Sequence, residues 1–161
     1  MDVLVWVTEA TWPACVTAAR DHAPSDARIT LLYVADDDVP AAARGALTGL
    51  LGRSRSGPDP AAAMRAVAVR AGRDLLAAAG QGLGREVSVI QRHGRVEREV
   101  VSAAAGVDLL ILARDGDLRR LGPHSLGPAT RFVVDHARCA TLLVWPSAAP
   151  DLGSIPPHPP R

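Results

Sequence analysis

Gly116, Gly127 and Thr130 are spaced along a loop that leaves an apolar run and enters a helical pattern. Residue types of this kind suit anion binding. A glycine lets the backbone approach an oxygen closely, and the first N–H groups of a helix point at whatever lies before it. The apolar run is Asp108-Leu109-Leu110-Ile111-Leu112-Ala113, and the helical pattern opens at Gly127-Pro128-Ala129-Thr130 and reaches about His136. A loop leaving the carboxyl end of a parallel strand for a helix N-terminus is where open α/β sheets hold phosphates. Pro128 suits a first helical turn but brings neither a hydroxyl nor an N–H. Arg114, Arg119 and Arg120 either add charge for an anion or solvate the loop.

Other chemistry finds less support. Asp135-His136 with Ser125 upstream has the residue types of a triad, but side chains adjacent on one helix diverge. His22, His93, His124, His136 and His158 show no metal-ligand spacing. Asp36-Asp37-Asp38 follows a strand end without a defined coordination set and reads as a solvated acidic turn. No metal site is expected. Gly80-Gln81-Gly82-Leu83-Gly84 follows a helix instead of a strand, so it reads as a helix stop. All 18 basic residues are Arg. The absence of Lys excludes a Walker A lysine, a Schiff base and a lysine general base. Cys15 and Cys139 are too few for a disulfide scaffold and read as buried, reduced thiols.

The elements that must position the loop follow from the apolar pattern. Strands are expected at Val3–Val7, Arg28–Ala35, Glu86–Arg92, Asp108–Ala113 and Thr141–Val144. Helices are expected at Thr11–Ala23, Ala61–Ala79, Val96–Ala105 and from Gly127 to about His136. Thr11 is a candidate N-cap, and Pro13 is tolerated in the first turn. Continuous apolar strands alternating with helices predict an open, doubly wound α/β fold with a five-stranded parallel sheet. Residues 1–146 make one domain, with 36–60 a variable connection containing a short helix near Pro40–Leu51 and a mobile Arg53–Gly57 part. Residues 147–161 carry five prolines and read as an extended or disordered tail. Trp6 falls in the core, whereas Trp12 and Trp145 lie near element ends.

A length of 161 residues fits one domain with a full core. The formal net charge of +1, from 18 basic and 17 acidic residues, gives no reason to expect nucleic acid or a membrane surface as partner. No apolar stretch reaches the length of a membrane span, and no signal peptide is apparent, so a cytoplasmic protein is expected.

Several stretches together resemble the universal stress protein family. Val3-Leu4-Val5-Trp6-Val7 resembles its first strand, Leu32-Tyr33-Val34 the end of its second, and His93-Gly94-Arg95-Val96 the turn into its third helix. Asp108-Leu109-Leu110-Ile111 resembles its fourth strand, and His136-Ala137-Arg138-Cys139-Ala140-Thr141-Leu142-Leu143-Val144 its last helix exit and strand. The resemblance covers roughly Asp2 to Val144 and implies the strand order 3-2-1-4-5. It also implies an adenine nucleotide site, with ATP or AMP as ligand, at Thr8, Val34, Ala113, Gly116, Gly127 and Thr130.

The loop departs from the family's Gly-x2-Gly-x9-Gly-Ser/Thr pattern. Ala113 stands at the first Gly, and Pro128 replaces the Ser or Thr. The interval between Gly116 and Gly127 is one residue too long, and Thr8 replaces an Asp after the first strand. The expected function is therefore a regulatory or stress-response module without catalysis, in which nucleotide binding is weakened or absent. It would act with an unidentified protein partner. The alternative is an ATP-binding stress protein or slow ATP hydrolase using the 113–130 loop. A receiver domain would want an acidic cluster after the first strand and a Lys after the last, and neither is present. A homodimer through the 141–145 strand is expected, because an apolar edge needs cover and such domains commonly pair there.

Overall fold

The computed structural model describes residues 1–36 and 60–157. Five strands form one parallel sheet: β1 (Asp2–Trp6), β2 (Arg28–Asp36), β3 (Ser88–Gly94), β4 (Leu109–Ala113) and β5 (Ala140–Val144). Their order is β3-β2-β1-β4-β5, as expected. The centre is held in register by Val3 opposite both Ile29 and Leu109, and by Val5 opposite Leu31 and Ile111. The chain enters β2 and β4 on opposite sides of β1. The carboxyl ends of β1 and β4 therefore diverge around a crevice.

Alternation along the strands divides the core into two layers. Val3, Val5, Ile29, Leu31, Tyr33 and Ile111 face α1 (Trp12–His22) and α2 (Pro60–Leu83). Leu4, Trp6, Leu32, Val34, Leu110 and Leu112 face α3 (Val96–Ala103) and α4 (Pro128–His136). Burial on both faces explains why these strands read as unbroken apolar runs. Trp6 is core, as expected. Cys15 is fully buried, and burial pushes its thiol up to about 12, whereas Cys139 is only partly buried.

Two boundaries correct the sequence reading. Helix α2 does not stop at Ala79 but continues through Gly80 and Gly82 to Leu83. Ala79 and Leu83 are buried there, and a Cβ on Gly82 would stand 3.2 Å from Val16, so packing outweighs the low helix propensity of glycine. The stop is Gly84, at φ +66°, whose N–H donates to the Gln81 carbonyl at 3.1 Å. The C-terminal tail is not simply extended. A 3-10 turn at Leu152–Ser154 is pinned to the loop, because the Leu121 N–H donates to Ser154 Oγ at 3.1 Å. The expected helix near Pro40–Leu51, the Arg53–Gly57 part, and Asp37 and Asp38 lie outside the described residues. Among the described residues no helix is long and apolar enough to cross a membrane.

Candidate functional site

The carboxyl ends of β1 and β2 frame a cleft of about 370 Å³. Its floor and walls include Trp6, Tyr33, Val34, Met64, Ala68 and Val96. Its polar groups come from Thr8, Glu9 and Asp36. The volume lies at the small end of the range for small-molecule sites, and an apolar lining with a few polar groups is their usual composition. The Thr8 carbonyl accepts the Thr11 and Trp12 N–H groups at 3.2 and 3.0 Å and so starts α1. The Thr8 and Thr11 hydroxyls are bonded to each other at 2.7 Å. Thr11 therefore orients Thr8 and does not cap the helix with its side chain.

Tyr33 and Glu9 form the polar edge of this cleft. The Tyr33 hydroxyl donates to Glu9 Oε1 at 2.8 Å. Burial, reinforced by the adjoining Glu9 carboxylate, pushes the phenol up to about 12. The ring is set tightly against α2: a Cβ on Gly72 would come within 2.5 Å of it. Beside it, Gln91 Nε2 donates to the Val69 carbonyl at 3.0 Å.

The 113–130 loop is organised differently. The Gly116 N–H donates to the Ser125 carbonyl at 2.9 Å, and the Asp117 N–H to the His124 carbonyl at 2.8 Å. A Cβ on Gly116 would stand 2.3 Å from the His124 oxygen, so glycine is required here by the opposite limb of the loop itself. The Gly127 N–H, ahead of Pro128 in α4, donates to Asp115 Oδ1 at 2.8 Å. A carboxylate at a helix N-terminus is favoured by the helix dipole and by the unpaired amides there. Ala113 and Thr130 are buried, at 5% and 1% exposure.

The arginines are also engaged within the chain. The Arg114 guanidinium lies 4.7 Å from the Trp145 ring centroid and donates to Ser125 Oγ, which in turn donates to the Gly122 carbonyl at 2.6 Å. Arg119 Nε reaches Asp117 Oδ1 at 3.0 Å and holds that carboxyl below its usual range. His136 stacks on Phe132 with ring centroids 3.9 Å apart. Ser125 is thus turned to Gly122 and His136 to Phe132, so the two do not meet as members of a triad.

Of the sequence-predicted residues, Thr8 and Val34 share the cleft. Ala113, Gly116, Gly127 and Thr130 are not among its described lining residues. Glu9, Tyr33 and Asp115 were missed as site residues. Glu9 is signalled only by following Thr8, and Asp115 only by preceding Gly116.

The model of the universal stress protein family matches residues 2–144. The chain belongs to that family. No curated protein matches it. Among solved structures, the universal-stress-type fold is shared with the hypothetical protein MJ0577, at a TM-score of 0.68 and 17% identity over 92% of this chain and 97% of that one. A universal stress protein in complex with cAMP has a TM-score of 0.57 and 16% identity, covering 91% of this chain and 98% of its own. The hypothetical protein PH0823 gives 0.57 and 21%, covering 89% and 94%. At these identities the likeness establishes the fold.

Proposed function

We propose that this universal stress protein is a regulatory module without catalysis, whose adenine nucleotide binding is weakened at the phosphate end. The observation that carries this reading is the internal use of the loop's donors. Gly116, Asp117 and Gly127 spend their N–H groups on Ser125, His124 and Asp115. A phosphate entering the loop would have to displace a carboxylate of like charge and two backbone pairings. The cleft holding Thr8 and Val34 remains open to a flat, partly apolar ligand. That a related fold is a universal stress protein in complex with cAMP supports a nucleotide-class ligand.

The module would act as a homodimer through β5. Among the described residues this strand pairs with β4 alone, and its Leu142, Leu143 and Val144 are half-buried in the single chain. An apolar edge with unpaired backbone groups invites a second strand.

Calorimetry with ATP and AMP, with and without magnesium, tests the nucleotide reading. Weak binding with no phosphate release supports it. Tight binding of ATP, or turnover, contradicts it.

A further inference from the structure

Beyond β5 the chain returns to the 113–130 loop and touches it at two places. At the near end the Arg114 guanidinium lies 4.7 Å from the Trp145 ring centroid. At the far end Ser154 Oγ accepts the Leu121 N–H at 3.1 Å and donates to the Asp151 carbonyl at 2.6 Å. Pro156 sits beside the next loop residue: a Cβ on Gly122 would stand 4.0 Å from its Cδ. Residues 145–156 therefore form a strap across the loop.

Ser125, fully buried, joins the two contacts. Its Oγ accepts from Arg114 and donates to the Gly122 carbonyl at 2.6 Å. Its own carbonyl accepts the Gly116 N–H at 2.9 Å. A continuous path thus leads from Ser154 through Leu121, Gly122 and Ser125 to Arg114 and Gly116. The closed arrangement also carries an unfavourable feature. Arg114 Nε is buried and has no hydrogen-bond partner among the described residues. A buried, unpaired donor on a cation is costly, so other contacts must hold it in place. The strap is lightly held in its turn, with Leu152 and Ile155 78% and 55% exposed. Segments with little buried apolar surface are the ones that open first.

We propose that this strap is a conformational device that sets how often the loop opens and releases the Gly116 and Asp117 N–H groups and the Arg114 guanidinium. The proposal rests on the reading above, in which those amides are engaged within the loop, and adds how that engagement is regulated. A ligand that needs the open loop binds with an affinity scaled by the fraction of open chains. Loosening the strap therefore strengthens such binding without any new contact.

Native-state hydrogen exchange of the full chain, followed by amide NMR without ligand, reads the opening directly. Ser154→Ala removes the acceptor of the Leu121 N–H at a surface turn. It is expected to speed exchange at Leu121, Gly116 and Asp117 together by about 2- to 10-fold, the range for losing one neutral hydrogen bond. The core amides of Val5 and Leu31 should remain slower than these three, which marks the opening as local. Ser154→Thr keeps the hydroxyl and should restore protection. In calorimetry the apparent affinity of Ser154→Ala for ATP should rise by the same factor as the exchange.

Faster exchange confined to Leu121 overturns the proposal, because the turn then frays without moving the loop. Exchange of Gly116 and Asp117 only at the rate of Val5 and Leu31 also overturns it, since the loop then has no opening of its own. Coupled exchange with ATP affinity unmoved upholds the strap and overturns the reading that loop closure weakens nucleotide binding.

Discussion

The Asp115 carboxylate accepts the Gly127 N–H at 2.8 Å, from twelve residues back in the chain, so α4 carries its own anion. In open α/β sheets this position ordinarily attracts a phosphate or other external anion. Here Gly116, Asp117 and Gly127 spend their N–H groups on acceptors within the loop itself.

That contact should contribute measurably to stability. Asp115→Ala is expected to lower unfolding free energy by about 0.5–1 kcal/mol, the scale of an exposed helix cap acting with the dipole. Urea denaturation measures it. An unchanged midpoint would show that the carboxylate rests on Gly127 without stabilising the loop.

Tyr33 is the single tyrosine of the chain, so its ionisation can be followed without ambiguity by tyrosinate absorbance. It should titrate near about 12, because burial and then Glu9 favour the neutral phenol. Since the folded value lies above the unfolded one, the linked stability is fully present below about pH 10 and is lost as pH rises through the folded value. Glu9→Gln should bring the value down only in part, because burial is the larger cause and remains. Ionisation at the ordinary tyrosine value in the folded protein would mean that the ring is more exposed than described.

Gly72 lets α2 seat on the Tyr33 ring. Gly72→Ala places a Cβ within 2.5 Å of that ring and 2.6 Å of Gln91 Nε2. The crowding should destabilise by about 1–3 kcal/mol and offset any gain in helix propensity. A more stable Gly72→Ala variant in thermal unfolding would show that α2 sits further from the sheet.

The dimer has a backbone test that spares the core. The Ala140 N–H and the Val144 carbonyl both point to β4, toward Asp108 and Arg114 respectively. By strand alternation the Thr141 N–H points outward at the free edge. Thr141→Pro removes that donor without touching a β4 pairing. Light scattering at micromolar concentration should show a dimer for wild type and a monomer for the variant. A monomeric wild-type chain, or a dimer unaffected by the proline, would move the interface elsewhere.

The fold was legible because its cues are local. Val3–Val7, Leu31–Val34 and Leu109–Leu112 are apolar without interruption, as strands covered on both faces must be. The end of α2 was misread because Gly80 and Gly82 lower helix propensity, while Ala79 and Leu83 pack into the core and override it. Of the six residues that the resemblance singled out, Thr8 and Val34 line the cleft, because they sit at the carboxyl ends of β1 and β2. The loop was not legible. Its closure depends on pairs such as Gly116 with Ser125 and Asp117 with His124, which meet only after the chain reverses. Glu9 was hidden for a related reason, since its direction is set by a hydroxyl on another strand.

The most direct test of the closed loop is amide NMR during an ATP titration. The Gly116, Asp117 and Gly127 resonances of the wild-type chain are expected to stay in place to millimolar ATP, because their N–H groups remain on Ser125, His124 and Asp115. Saturable shifts of these three amides at micromolar ATP would contradict it.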